Sequence, residues 1–133
     1  MRNVTEKFGS NAGKVWTTLN MYGPLNSSDL LKNTRLTTSD LYAAIGWLAR
    51  ENKICKNGPY YQLGETNLTN KIGDDAGKIW RVLNSYGEID VSSIAKTTQV
   101  ETQDAYSALG WLAREEKIIG KKSNKNQFLF KLK

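Results

Sequence analysis

The sequence predicts an α+β fold, mainly helical, built from one small unit written twice. Three observations carry this. The chain repeats itself at an offset of 64 residues, each copy holds three segments of helical periodicity, and each copy ends in two short β-prone runs. The repeat is long and without gaps. "NVTEKFGSNAGKVWTTLNMYG" from residue 3 aligns on "NLTNKIGDDAGKIWRVLNSYG" from residue 67, and "AAIGWLARENKI" aligns on "SALGWLAREEKI". About half the aligned positions are identical, which puts one copy in residues 1–64 and the other in 65–133. Only "GET" separates them, so the copies are held close together.

The elements of one copy follow in order. Phe8, Ala12, Val15, Trp16, Leu19 and Tyr22 recur at helical spacing, as do Ile72, Ala76, Ile79, Trp80, Leu83 and Tyr86. Gly23 and Gly87 are suited to end that helix with a left-handed cap. A short extended piece around Leu25 or Ile89 leads to Asn26 or Asp90, each a good N-cap for a short second helix. That helix stops at "NTR" or "TTQ". A third helix begins at Thr37, where Thr-x-x-Asp forms a capping box with Asp40, and Leu36 and Leu41 stand at the positions of a hydrophobic staple. Two apolar runs close the copy, around Ile54-Cys55 and from Tyr60 to Leu63, joined by the turn sequence Lys56-Asn57-Gly58-Pro59. In the second copy this hairpin is about five residues longer, "IGKKSNKNQFLFKL". Helix, strand, helix, tight turn, helix, hairpin is the order of a winged helix-turn-helix unit: three helices plus a β-hairpin wing, here in tandem.

Composition narrows the function. Hydrophobic content of 39% and charged content of 24% fit a globular chain, and no apolar run approaches the roughly 20 residues that cross a bilayer. The N-terminal segment has no apolar core of a secretory signal, and one cysteine builds no disulfide framework, so the expected location is the cytoplasm. The absence of histidine removes the commonest acid–base group and the commonest transition-metal ligand. Cys55 aligns with Ile119 and reads as a small hydrophobe. With no phosphate-binding glycine loop and no paired-cysteine motif, the expectation is a non-enzyme with no catalytic residues, metal or cofactor. The net charge of +6 points to an acidic partner, nucleic acid first.

At "NAGKVWTTLN" and "GWLARENKI" the sequence resembles a family of small bacterial and archaeal winged helix-turn-helix domains. Members carry NAGxxWxxLN in the first helix and GWLAREDKI at the end of the third. Both motifs stand in both copies, with Asp75 for the first Asn and Glu116 at the variable position of the second. The resemblance covers nearly the whole chain and implies a DNA-binding fold.

In such a fold the third helix would lie in the major groove, its N-terminal half at the base edges. Wheel positions place Leu41, Ala44, Ile45 and Leu48 on the core side. Ser39, Ala43, Gly46 and Arg50 lie opposite, with Tyr42 on the flank; the second copy offers Gln103, Ser107, Gly110 and Arg114, with Tyr106. Trp47 and Trp111 fall at the core boundary and read as wedges under the hairpin. The outer face is mostly small, whereas base reading leans on Arg, Lys, Asn and Gln. A mid-helix glycine costs up to about 1 kcal/mol relative to alanine, so its presence in both copies asks for a close approach, by DNA or by another helix, or for local room beside the tyrosine or wing.

The expected DNA contacts in the first copy are Lys32, Arg35, Thr38, Ser39, Tyr42, Ala43, Arg50 and Lys56. In the second they are Lys96, Gln99, Thr102, Gln103, Tyr106, Ser107 and Arg114, with Lys121, Lys122 and Lys125 on the wing. The leading expectation is therefore a double-stranded DNA-binding protein of low sequence selectivity, a transcriptional regulator or a nucleoid-associated architectural protein. A protein-interaction scaffold is the alternative, using the small-residue face between the copies or in a homodimer. RNA is a third partner that the same basic surface would suit.

Overall fold

Each apolar stripe forms the helix expected of it. The computed structural model describes residues 3–133. The first repeat contains α1 (Thr5–Tyr22), β1 (Leu25–Asn26), α2 (Ser27–Thr34), α3 (Thr38–Arg50), β2 (Ile54–Asn57) and β3 (Tyr60–Leu63). The second contains α4 (Thr69–Tyr86), β4 (Ile89–Asp90), α5 (Val91–Thr98), α6 (Thr102–Arg114), β5 (Ile118–Lys122) and β6 (Phe128–Leu132).

The caps explain the boundaries. The side chains of Asn26 and Asp90 accept hydrogen bonds from the Asp29 and Ser93 amides, and Thr37 accepts from Asp40 N, each satisfying an orphan donor of a first helical turn. Glu101, which replaces Thr37 in the second repeat, makes no such bond. The hydroxyl of Ser93 donates back to Asp90 at 2.6 Å, and this bond holds the Asp90 carboxyl below its ordinary pKa. Gly23 and Gly87 end α1 and α4 with positive φ but extended ψ, so the expected left-handed cap is not formed there. Arg35 and Gln99 are left-handed instead, in the tight turns between the second and third helices, and Asn52 and Glu116 take the same positive φ just after α3 and α6.

The short extended pieces do more than link helices. β1 pairs antiparallel with β3, and β3 with β2, so each wing is the outer part of a three-stranded sheet. The second sheet repeats the order as β4-β6-β5, with Ile89 opposite Phe130. The shorter hairpin turns at Gly58-Pro59, Gly58 having φ +58°.

Two apolar clusters lie under these layers, and neither is confined to one repeat. Val15, Leu30, Leu41, Ile45 and Ile54 pack with Ile72 of the second repeat. Ile79, Ile94, Leu109, Ile118 and Phe130 pack with Phe8 and Ala43 of the first. The Phe8 and Phe130 rings stack with centroids 6.0 Å apart. Each repeat thus sends the start of its long helix into the core of the other.

Candidate nucleic-acid interface

The two third helices, α3 and α6, pack on each other. The pairs that touch lie near repeat equivalents along the whole length. The Ser39 side chain hydrogen-bonds Tyr106, Ala43 meets Gly110, Gly46 meets Ser107, and Arg50 meets Glu115. The helices therefore run side by side in the same direction about an approximate two-fold axis. The glycines permit this. A β-carbon on Gly46 would collide with the Ser107 carbonyl, its carbon being only 2.6 Å away, and one on Gly110 would sit 2.7 Å from the Ala43 carbonyl carbon. The Ser107 hydroxyl donates to the Tyr42 carbonyl at 3.1 Å. Its repeat equivalent, Ala43, has no hydroxyl, so this bond is one-sided.

Charged groups close the C-terminal ends of the pair reciprocally. Arg50 Nε lies 3.0 Å from Glu115, and Arg114 Nε 2.9 Å from Glu51. The Arg50 guanidinium covers the Trp111 ring at 5.7 Å, and that of Arg114 covers Trp47 at 5.9 Å. Trp47 also rests on the Gly9 backbone of α1, so it wedges between α1 and the other repeat's arginine, where the sequence suggested a wedge under the hairpin. Far from this face the exchange is equally reciprocal. Val4 N donates to the Gly120 carbonyl and Asn3 Oδ1 accepts from Gly120 N, while Asn67 makes both an N–H and a carbonyl bond to Lys56, the repeat equivalent of Gly120.

This geometry corrects the expectation that the third helices dock in DNA grooves by their middle turns. Ala43, Tyr106 and Ser107 are buried in the helix pair, and Gly46 and Gly110 are its closest points. Arg50 and Arg114 are held by the opposing glutamates and tryptophans. A helix face cannot hold a partner helix and a duplex at once. The close approach that the glycines called for is another helix.

The remaining predicted contacts do not form one surface with these. Thr38, Thr102 and Gln103 are exposed at the N-terminal end of the pair, with Ser39 and Tyr42 half-buried beside them. Lys32, Arg35, Lys96 and Gln99 are exposed on the second helices and the turns after them. Lys56 is exposed on the first wing with its ammonium over Tyr61 at 5.5 Å. Lys122 and Lys125 are exposed on the longer wing, whereas Lys121 pairs with Glu88 at 3.3 Å. Burial, with the nearby charges of Tyr42 and Asp104, pushes the Tyr61 hydroxyl up to about 12, and burial also raises that of Tyr106.

Among the described residues, no group of acidic, cysteine or histidine side chains is arranged to hold a metal ion. No helix there is long and apolar enough to cross a membrane.

Fold and site together define a tandem winged helix-turn-helix protein, a fold that in general suggests DNA binding. The chain belongs to the family described as "Winged helix-turn-helix domain (DUF2582)", which it matches twice, over residues 1–61 and 67–131. It is similar to "Uncharacterized protein MJ1608" of Methanocaldococcus jannaschii, 40% identical over 70 residues. That match covers 50% of this chain and 97% of the relative.

Proposed function

We propose that the chain binds double-stranded DNA as a dimer contained in one polypeptide, gripping phosphates with its basic hairpins and reading little sequence. One observation carries this: the middle turns of α3 and α6 are buried against each other, while Lys122 and Lys125 of the longer wing stand exposed with no ion pair among the described residues. Lysine contacts to phosphate fix position on a duplex but carry no base information. The role that suits such binding is a nucleoid-associated architectural one in the cytoplasm, without catalysis. Residues 1–64 and 65–133 are on this reading the units of duplication, each completed by the other.

Anisotropy titration of labelled duplexes tests it. Two unrelated sequences should bind with similar affinity. With about five phosphates engaged, log K should fall against log salt with a slope near −4 to −5. Reversing charge at Lys121, Lys122 and Lys125 should weaken binding and flatten that slope. No binding of any duplex at low salt overturns the proposal.

The same burial of α3 and α6 favours a second reading, a protein-interaction scaffold, because it puts a helix face usually given to DNA into a protein contact. Flat titrations with duplex, together with unaltered behaviour of the lysine-reversed variant, would select it.

A further inference from the structure

A feature that duplex binding does not use recurs in both repeats. Between α1 and the end of α3 runs an open groove of about 350 Å³, and its repeat equivalent between α4 and α6 measures about 580 Å³. Its principal residues are Gly13, Trp16, Trp47, Glu51 and Lys53 in one repeat, and Gly77, Trp80, Trp111, Glu115 and Lys117 in the other. Of the nine lining positions eight are identical, Thr17 against Arg81 being the exception, whereas the repeats as a whole agree at about half their positions. Fully buried positions have diverged more: Leu30 against Ile94, Leu41 against Ala105, Ile45 against Leu109.

Packing explains part of this agreement but not all. Ala12 and Leu48 are core, and Gly9 makes room for Trp47. Gly13 has no such reason, since a β-carbon there would meet nothing within 4 Å, and at Gly77 it would meet only the tip of Arg81 at 3.8 Å. A mid-helix glycine weakens a helix, so one facing open space in both repeats lowers stability without any internal contact in return. Trp16 and Trp80 are likewise left 39% and 38% exposed. Large aromatic rings over a glycine floor make a slot open to a flat group.

The two slots are not isolated. The reciprocal Arg50–Glu115 and Arg114–Glu51 pairs lie between them, and each arginine covers the other repeat's tryptophan. The result is one band with four indole rings, crossing both repeats. Each of its two carboxylates is shared by an arginine and a lysine, Glu51 by Arg114 and Lys53 and Glu115 by Arg50 and Lys117. Four cations thus answer two anions, and Arg81 adds a fifth with no ion pair among the described residues. Beyond Gly13 the first slot continues into a second groove reaching Lys14 and Asn33. Aromatic platforms interleaved with cations along an extended track suit a flexible polyanion carrying flat groups. A paired duplex hides those flat groups inside its stack.

We propose that this band binds single-stranded nucleic acid, with bases stacked on Trp16 and Trp80 over the glycine floors and phosphates held by Arg81 and Lys14, which make no ion pair among the described residues, within the net positive charge of the band. The site is distinct from the hairpin lysines and does not depend on duplex binding.

The test uses the full chain and a fluorescein-labelled oligothymidylate, read by anisotropy and by quenching of tryptophan emission at low salt. Two double variants are compared with the wild type: Gly13→Leu with Gly77→Leu, which fills the slots, and Trp16→Leu with Trp80→Leu, which removes the platforms. Each should weaken single-strand binding by roughly tenfold or more, as loss of stacking does elsewhere. Duplex binding should stay within twofold, and the glycine variant should keep or raise its thermal midpoint. Wild-type affinity in either variant, or no quenching of the wild type, overturns the assignment. Equal loss of single-strand and duplex binding also overturns it, by showing one shared site. So does capture of an acidic, aromatic-bearing peptide in place of the oligonucleotide, which would give the band to a protein partner.

Discussion

Replacing Gly46 by alanine adds one methyl group to the chain, and the structure sets its cost. The new β-carbon would lie 2.6 Å from the Ser107 carbonyl carbon and closer still to its oxygen, where ordinary contact begins at 3.4 Å. The obstacle is backbone of a packed helix, not the end of a flexible side chain, so no rotamer change relieves it. The helices must separate by roughly 1 Å, and a close-packed interior resists that. Overpacking of this kind costs about 1–3 kcal/mol. Improved helix propensity returns at most about 1 kcal/mol, so the expected net loss is on the order of 1–2 kcal/mol. At about 3–4 °C per kcal/mol for a chain of this size, the melting midpoint should fall by about 3–8 °C. Gly13→Ala supplies the control. The same change of residue, in a helix of the same chain, meets open space and should raise stability by about 0.5–1 kcal/mol. Urea unfolding of the two variants should therefore give shifts of opposite sign. A Gly46→Ala midpoint at or above the wild type would refute the close packing of α3 on α6, and with it the argument that this face is closed to DNA.

Other perturbations probe the same assembly. Glu51→Arg alone should cost no more than about 1 kcal/mol, because the Arg114 guanidinium is nearly half exposed; adding Arg114→Glu should recover it, most visibly at low salt. Asn67→Ala removes two hydrogen bonds to the Lys56 backbone and should lower stability by about 1–2 kcal/mol in urea titrations. The buried Tyr61 hydroxyl gives a pH signature. Its pKa is raised to about 12, above the ordinary 10.0, so the unfolded chain loses this proton first. Its contribution is complete below pH 10 and is lost as the pH rises toward 12. Unfolding midpoints measured across that range should fall less steeply in Tyr61→Phe.

Helix and hairpin order were readable because they rest on local chemistry. Asn26, Asp90 and Thr37 cap the next turn of chain, and periodic leucines and isoleucines mark a face whatever lies across from it. The pairing of β1 with β3 was not readable, since a two-residue strand has too few side chains to show alternation. The candidate site was only half legible. Gly46 and Gly110 announced a close approach, but a glycine does not say what approaches it. The slot around Gly13 is not legible in the sequence for a related reason: its walls come from α1 and α3, distant in sequence, and its floor is an absence of side chain.

The duplication, the winged helix-turn-helix units and the net positive charge were all legible in the order of residues alone. Those properties follow from residue type and spacing within about 64 positions. Which face of the third helix is free depends on packing between the repeats, because two amphipathic helices with small outer faces can meet DNA or each other with the same local pattern. That packing is made by groups from opposite repeats: Ser107 on the Gly46 backbone, Arg50 on Glu115 and Trp111, Phe8 in the far core. None of these partners is within reach along the chain, and together they make the two repeats one body.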